Sequence, residues 1–469
     1  SPPTTFRGRF LSVAALVWAV VVCVVAYLVQ PPILIWMPAL RVGPYIPWEV
    51  ILPAFTWLGL LIFAARGVGG WLLQRFGRLD LSRAEEWVFS LGLGGGVIAY
   101  ATLTAAVAGG LYRWPARLAV LALAAWGVSR WWRRRSLGEV RKLDEVRFPR
   151  LPMVLALLAW GVNLLGVLGP ETFYDSLLYH LGVPQWYVNV HRMAPTPHMI
   201  FAPLPFMQEM LYTLALLLQG DTLAKLVSWG AGVGLTLATA ALGRQLGHPK
   251  AGAWAAALVA TTPAVLFCGR VTGTEIGLSV WSLLALWAVL RYRDPVSAWL
   301  VLAGVFGGLA MGTKHLGLFV CAVLGLMMVL TARQLRAGLL FAGVVAVVFL
   351  PWPIRTALLT GGNPVYPFFA STLSPGALPP DWLGLGAENP RFSAYIRSWR
   401  DYAVHPWILT MKGEESPHHL GPWALALAPL ALAALRRRRQ PETALAAFAL
   451  GYYACWASVT TYGRFLLPA

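Results

Sequence analysis

The chain has 469 residues, of which 58% are hydrophobic and only 12% are charged, with a formal net charge of +18. A soluble domain carries about a quarter charged residues, so this composition excludes an ordinary water-facing surface. The apolar residues fall in blocks of roughly 17–25, the length that crosses the hydrocarbon core of a bilayer as a helix. The alternating ten-residue segments typical of a membrane β-barrel are absent from the sequence. The sequence therefore predicts an all-α, polytopic bundle of transmembrane helices.

Thirteen spans are predicted from the apolar blocks. In chain order they lie near 10–30, 47–65, 87–111, 115–131, 151–168, 222–243, 251–269, 275–290, 296–312, 316–331, 337–352, 421–435 and 441–458. Two long segments, 169–221 and 355–420, are not assigned to spans. The first contains the pieces 173–190 and 203–219, which we expect to be helices lying along the membrane surface or half-buried beneath it.

The distribution of basic residues indicates the orientation of the bundle. With a cytoplasmic N-terminus, the loops on the cytoplasmic side hold 24 of the 37 basic residues, including the dense run from Arg130 to Arg150. Such a bias is the usual signature of cytoplasmic loops. We therefore interpret the positive charge as a topology signal and expect no nucleic-acid partner. Both long segments then lie on the outer side.

The first group of candidate site residues directly follows the fifth predicted span, in the stretch from Glu171 to His180. A helix would place Asp175 and Tyr179, four positions apart, on one face. A carboxylate near the membrane surface and beside aromatic rings can act as a general base whose basicity is tuned by desolvation. Alternatively, Asp175 only starts a helix, where an acidic residue is electrostatically favoured. The residues by themselves leave both interpretations open.

Two further groups lie at predicted outer ends of spans. Glu275 begins the eighth span and could supply a second carboxylate, or serve only as an N-terminal helix charge. Lys314 and His315 lie in a tight turn after Gly312 and Thr313. An ammonium there suits a phosphate or pyrophosphate group, because it offers a charge-assisted hydrogen bond to the anion. The alternative is a lysine that extends to water from the membrane edge.

Arg355, after Pro351-Trp352-Pro353, and Arg464 near the end of the chain could add anion contacts, or could be interfacial anchors. The first outer loop also holds three histidines, which could bind a divalent metal with Asp175 although their spacing matches no known metal site. They are His180, His191 and His198. The sequence contains no Walker loop, dinucleotide fingerprint, zinc-protease motif or nucleophile elbow.

The order of these motifs resembles that of the GT-C superfamily of integral-membrane glycosyltransferases. The acidic first loop is followed by Gly220-Asp-Thr-Leu-Ala-Lys225, Leu242-Gly-Arg244, the turn from Gly312 to His315, and Gly362-Asn-Pro364. The sequence is most similar to the branch that includes protein O-mannosyltransferases and the aminoarabinose transferase of lipid A. The resemblance covers roughly 151–469.

This resemblance implies a hexosyl- or pentosyltransferase of the bacterial inner (plasma) membrane, with its active site on the outer, periplasmic face. The donor would be a polyprenyl-phosphate sugar, and the acceptor a hydroxyl of a protein, lipid or glycan. Asp175 would be the catalytic base and Lys314 a ligand of the lipid phosphate. The other expected substrate-binding residues are His315, Tyr179, His180, Arg355, Glu275 and Arg464.

The resemblance also implies a domain division, and this chain departs from the family pattern in some respects. Residues 1–150 would form accessory spans with a basic cytoplasmic loop, and 151–469 the catalytic module. Relatives usually begin at the catalytic module, whereas four extra spans precede it here. Many relatives have two adjacent acids where this chain has Asp175 and Ser176, so we expect no metal cofactor. The last residues look like the start of a further span, which suggests a truncated chain.

Two alternative functions are a non-catalytic scaffold subunit and a transporter of lipid-linked glycans. Transporters often contain inverted repeats, and none is visible in this sequence.

Overall fold

The computed structural model describes residues 6–29, 47–77, 79–136, 149–196, 199–292, 298–332, 335–374, 398–411, 420–435, 440–459 and 463–469. Within these ranges the backbone forms helices and turns and no β-strand. The α-helices, numbered in chain order, are α1 (Phe6–Val29), α2 (Trp48–Arg75), α3 (Arg83–Val107), α4 (Arg113–Ser136), α5 (Arg150–Val167), α6 (Gly182–Asn189), α7 (Met207–Leu218), α8 (Asp221–Gln245), α9 (Pro249–Thr261), α10 (Pro263–Arg270), α11 (Glu275–Arg291), α12 (Ala298–Thr313), α13 (Gly317–Ala332), α14 (Leu335–Phe349), α15 (Pro351–Thr360), α16 (Ala370–Leu373), α17 (Trp399–Met411), α18 (Trp423–Leu435) and α19 (Gln440–Ala457). A π-helix, Ser176–His180, lies between α5 and α6, and a 3₁₀-helix, Gly463–Leu466, follows α19.

The predicted fold class, a polytopic bundle of transmembrane helices, is confirmed. Among the described residues, α2, α3, α5 and α8 are long and apolar enough to cross a membrane. Counting α9 with α10 and α14 with α15 as one span each raises the number to six, by length and composition. All thirteen predicted spans overlap a helix. How many of the shorter apolar helices also cross stays a prediction.

Two predicted spans, 251–269 and 337–352, are broken and not continuous. The axes of α9 and α10 meet at 62°, and those of α14 and α15 at 47°. Each bend coincides with a proline, Pro263 or Pro351, at the first position of the second helix. Proline lacks an N–H and clashes with the preceding turn, so the helix bends there. Hydropathy alone does not report such a bend.

The first spans pack closely through small residues. A Cβ atom on Gly69 of α2 would lie 1.8 Å from the carbonyl oxygen of Ser90 in α3, and one on Gly94 would lie 1.8 Å from that of Ala65. Small residues allow such close approach of helix backbones within membranes. Helix α3 then packs on α7, α8, α11 and α12, with the Phe89 ring 5.3 Å from the Trp287 ring. The N-terminal helices therefore form one bundle with the rest.

Helix α7, within the piece 203–219 expected to lie along the membrane surface or half-buried beneath it, is enclosed by other helices. All of its side chains except that of Leu211 are buried, between α3, α4, α8 and α6. The polar pair Gln208 and Glu209 therefore lies inside protein. The surrounding helices, which sequence periodicity does not show, cover both faces of α7.

Candidate active site

Four charged side chains from distant parts of the chain meet in one network, which we call the ion cluster: Asp175, Glu275, Lys314 and Arg464. Arg464 donates from Nη2 to Oδ2 of Asp175 over 2.5 Å, and its Nε lies 3.4 Å from Oε1 of Glu275. Lys314 Nζ donates to the same Glu275 oxygen over 2.9 Å. The sequence had singled out each residue, and the structure brings all four together.

The helix ends around the cluster explain how these side chains converge. Asp175 directly precedes the π-helix, whose wide turn is closed by the Leu181 N–H donating to the Ser176 carbonyl over 2.7 Å. Single π-turns occur frequently at functional sites. Glu275 is the first residue of α11, and its Oε2 accepts from the Thr274 N–H over 3.1 Å. Lys314 directly follows α12, in a turn where the Gly317 N–H donates to the Lys314 carbonyl.

Aromatic rings form part of the wall of the ion cluster. Lys314 Nζ lies 3.7 Å from the centroid of the Phe465 ring, and the Arg464 guanidinium lies 4.9 Å from that of Phe173. Such rings attract cations while excluding water. The Glu275 side chain is 3% exposed, whereas those of Asp175 and Lys314 are each 21% exposed. The more exposed members of the cluster are therefore one carboxylate, Asp175, and one ammonium, Lys314, with Glu275 buried behind them.

The surroundings of the cluster fix the charge state of three side chains. Burial disfavours the charged form of Arg464, but the carboxylates of Glu275 and Asp175 outweigh it and hold the Arg464 pKa above its ordinary value. Burial raises the pKa of Tyr179 well above its usual range, and the charge of Asp175 adds to the effect. Burial and the nearby Lys314 ammonium lower the pKa of His315 to about 4. At neutral pH the site therefore contains charged Arg464 and neutral Tyr179 and His315.

His180, expected to bind substrate, is buried and has a protein partner. Its Nδ1 lies 2.7 Å from Oε1 of Glu209 in α7. The neighbouring Tyr179 ring packs 4.8 Å from the Phe201 ring. Glu209 was not singled out from the sequence, although an acid inside an apolar run is costly and is a functional candidate for that reason. These contacts support a role for His180 in positioning the π-helix.

Arg355 is not brought into the ion cluster. Its guanidinium is buried and donates to the carbonyls of Leu204 (2.8 Å) and Ala202 (2.7 Å) and to the Tyr187 hydroxyl. It therefore holds α15 against the segment before α7, and these contacts give no support to a role as an anion ligand.

His315, also expected to bind substrate, directly follows Lys314 of the ion cluster. Its ring lies 5.8 Å from that of Phe368.

Glu171 and Lys225, neither of which was assigned a catalytic or substrate-binding role from the sequence, hold the loop that carries Asp175. Glu171 Oε2 accepts from both the N–H and the hydroxyl of Thr272, at 2.9 and 3.0 Å. Lys225 of α8 donates to the carbonyls of Gly166, Gly169 and Pro170. The signal for Lys225 was available in the sequence as a basic residue inside an apolar span, since such residues need internal partners.

A divalent metal site that included Asp175 and the histidines of the first outer loop was the alternative considered from the sequence. The part of the chain that the structure describes contains no group of three or more His, Cys, Asp or Glu side chains able to hold an ion. His191 Nδ1 lies 3.0 Å from the Leu111 carbonyl oxygen, and His198 lies outside the described residues.

A mostly apolar cavity of about 760 Å³ lies about one helical turn along α11 from Glu275, and none of the four ion-cluster residues lines it. We call it the apolar groove; it is lined by α8, α9, α10, α11, α18, α19 and the last three residues. Ser279, at its near end, donates to the backbone carbonyl of Glu275, and Leu467 follows the 3₁₀-helix that carries Arg464. At its far end lie His248 and Glu442, which are 3.6 Å apart. The groove therefore extends from the cluster along the helices toward the other end of the bundle.

Comparison with known proteins bears on the family. Residues 223–360 match the family described as dolichyl-phosphate-mannose-protein mannosyltransferase. Over this segment, which is less than half of the chain, the match supports the predicted resemblance to the branch that includes protein O-mannosyltransferases. The segment contains Glu275 and Lys314 of the ion cluster and most of the groove-lining helices.

One solved structure is similar over a larger part of the chain, and it is that of ArnT from Cupriavidus metallidurans bound to undecaprenyl phosphate. The two sequences are 16% identical, with a TM-score of 0.48, over 68% of this chain. The chain spans only 57% of the length of that protein. No curated protein matches this sequence.

Proposed function

We propose that this chain is a membrane glycosyltransferase that transfers a sugar from a polyprenyl-phosphate donor to an acceptor hydroxyl. The observation that carries the proposal is an apolar groove whose lining residues Ser279 and Leu467 lie within about one helical turn of Glu275 and Arg464, members of the cluster that holds two cations. A polyprenyl-phosphate sugar has the matching chemistry, because it joins an anionic phosphate to a long apolar tail.

The family matched by residues 223–360 supports this donor class. Its description names dolichyl-phosphate-mannose, a sugar carried on a polyprenyl phosphate. In this chain the phosphate would meet the Lys314 ammonium and the Arg464 guanidinium, whose charge-assisted hydrogen bonds are about twice as strong as neutral ones. The tail would lie in the groove, where burying each CH₂ group contributes roughly 0.8 kcal/mol.

The geometry of the cluster suggests how donor binding prepares the base. Arg464 is bonded to Asp175, and Lys314 to Glu275. An incoming phosphate competes for both cations, which frees an oxygen of Asp175 to accept a proton. The acceptor oxygen then attacks the anomeric carbon while its proton passes to Asp175, and the sugar–phosphate C–O bond breaks. The polyprenyl phosphate leaves with the bonding electrons, and Lys314 and Arg464 stabilise its charge.

We place this reaction at the outer face of the bacterial inner membrane. The support is the bias in basic residues, of which 24 of 37 fall in loops on the opposite side of the predicted bundle. On that face the sugar must arrive on a lipid carrier. The acceptor class, a protein, lipid or glycan hydroxyl, is proposed because the site offers a base that can take the hydroxyl proton.

Transfer by the purified full chain in liposomes tests the proposal, with a panel of radiolabelled polyprenyl-phosphate sugars and an extract of membrane acceptors. Loss of a catalytic base costs about 10²- to 10⁴-fold in rate, so we expect such a loss for Asp175→Asn. The matched control is Asp221→Asn, because Asp221 is exposed at the start of α8 and accepts from the neighbouring Thr222 N–H. We expect this control to retain nearly full transfer.

Three outcomes would contradict the proposal. Equal transfer by Asp175→Asn and wild type would remove Asp175 from the role of base. Binding of polyprenyl phosphate without transfer of any sugar in the panel would support the scaffold alternative. Movement of a lipid-linked sugar between leaflets without a new glycosidic bond would support the transporter alternative.

A further inference from the structure

A second charged cavity lies in the N-terminal helices, away from the ion cluster. It has a volume of about 300 Å³ and is bounded by the ends of α2, α3 and α4. Its charged lining consists of Arg66, Arg83, Arg130 and Arg134 with a single acid, Glu86. These five side chains, which we call the arginine cavity, carry a formal net charge of +3 when all are ionised.

The arginine cavity lies at the opposite end of the bundle from the ion cluster. Helix α11 begins at Glu275 in the cluster and ends at Arg291, whose Nη1 lies 3.6 Å from Oε1 of Glu85 beside the cavity. Seventeen helical residues span about 25 Å, which is close to the thickness of the hydrocarbon core. The two charged sites therefore lie near opposite membrane surfaces.

One carboxylate cannot satisfy the donors that converge on it. Arg66 donates to Oε1 of Glu86 over 2.9 Å, and Arg134 donates to the same oxygen. The Arg66 Nε is buried and makes no hydrogen bond, and Arg130 donates to Gln74 at the rim. Several guanidinium groups therefore surround one acid, and the cavity leaves room for a further anion. Their planar sets of donors suit a tetrahedral oxyanion.

Glycines and tryptophans shape the cavity for a group at the membrane edge. A Cβ on Gly70 would lie 2.4 Å from Nη1 of Arg66, so the guanidinium occupies room that only glycine leaves. Trp87 and Trp131 line the cavity, and Arg66 lies 5.1 Å from the Trp87 ring centroid. Tryptophan is enriched at the level of lipid headgroups.

We propose that the arginine cavity binds a phosphate group, either of an anionic membrane lipid or of a soluble phosphate compound. The phosphate accepts from Arg66, Arg130 and Arg134 and competes with Glu86 for two of them. This site is separate from the proposed donor site and gives the N-terminal helices a ligand of their own.

Binding to the full chain in phosphatidylcholine nanodiscs tests the site. Phosphatidic acid retained on the protein is measured by native mass spectrometry, and inorganic phosphate is titrated calorimetrically in a second arm. Saturable binding in either arm supports the site, and the arm that saturates identifies the source of the phosphate. Arg130→Gln should weaken that binding about tenfold, the value of one lost hydrogen bond to a charged group. Since the Arg130 guanidinium touches only Gln74 and the Trp126 ring among the contacts described, the fold should tolerate this change.

Two further variants separate a specific site from general surface charge. Arg75→Gln removes the same charge at the same end of α2, but Arg75 is exposed and stacks on Trp71 outside the cavity, so binding should stay unchanged. Glu86→Gln should tighten binding several-fold, because it removes the competing carboxylate; a merely structural role of Glu86 predicts the opposite sign. No saturable binding in either arm, or equal weakening by Arg75→Gln and Arg130→Gln, would overturn the proposal.

Discussion

The guanidinium of Arg464 donates to the carboxylate of Asp175 over 2.5 Å and thereby joins positions 289 residues apart in the chain. The same guanidinium lies 3.4 Å from Glu275, so one arginine holds a partly exposed acid and a buried one in fixed relation. A planar fork with several donors can do this, whereas a lysine ammonium acts as a single point charge. Arg464 therefore both neutralises the acids and orients the proposed base.

We predict that Arg464→Lys keeps the positive charge but no longer holds the Asp175 carboxylate in its orientation. Transfer should fall about tenfold or more, the cost of losing one good charge-assisted contact. The loss should appear in kcat as well as in KM, because the position of Asp175 changes along with donor binding. Transfer kinetics over a range of donor concentrations measure both parameters. Unchanged kcat and KM would show that the fork geometry is dispensable.

Lys314 is predicted to contribute mainly to binding of the donor phosphate. Lys314→Met removes the charge while keeping the apolar length against Phe465, and should raise the Kd for polyprenyl phosphate about tenfold to a hundredfold. Equilibrium binding of radiolabelled polyprenyl phosphate measures this. Lys250→Met is the control, since Lys250 is an exposed residue at the start of α9. Equal Kd values for Lys314→Met and wild type would exclude the phosphate contact.

Blocking the apolar groove should affect donors according to the length of their tails. Ala255→Trp places a large ring in the groove, so transfer from long-chain donors should fall more than transfer from donors with one or two isoprene units. Each CH₂ group of the tail that is kept out of the groove loses roughly 0.8 kcal/mol of favourable binding free energy. Leu237→Trp on the exposed face of α8 is the control. A uniform loss at every tail length would place the tail elsewhere.

The pH dependence of stability should carry a contribution from His315. Its pKa is lowered to about 4 by burial and by Lys314, so the folded chain keeps it neutral while an unfolded histidine protonates below about 6.5. Between these values the unfolded state binds more protons, and stability is therefore lost as the pH falls. The loss approaches about 3 kcal/mol near pH 4, at 1.4 kcal/mol per pKa unit. Thermal unfolding from pH 7 to 4.5 should show a shallower decline for His315→Gln, and parallel curves would contradict the assignment.

The sequence located the helices and each of the four ion-cluster residues by local signals. Apolar blocks mark the spans because the bilayer sets their length, and charged residues at span ends stand out because burying them is costly. Asp175, Glu275, Lys314 and Arg464 were identified singly in this way. Their mutual pairing depends on how distant helices pack, which no local pattern reports.

The same limit explains the residues whose surroundings differ from expectation. The sequence cannot show that the carbonyls of Ala202 and Leu204 surround the Arg355 guanidinium, or that Glu209 reaches His180 across 29 residues. Nor does it show that α7 is covered on nearly every side. Each of these features arises from contacts between helices and not from periodicity within one helix.

The close approach of α2 and α3 leads to a prediction on stability. Gly69→Ala would place a Cβ 1.8 Å from the Ser90 carbonyl oxygen, and because that atom belongs to the helix backbone, it cannot rotate away. The two helices must separate, and overpacking of this kind costs typically 1–3 kcal/mol. Gly59→Ala in the same helix meets nothing within 4 Å and is the matched control. Thermal unfolding of the two variants in detergent should therefore show a lower Tm for Gly69→Ala alone, and a Tm equal to that of Gly59→Ala would mean that the helices do not pack this closely.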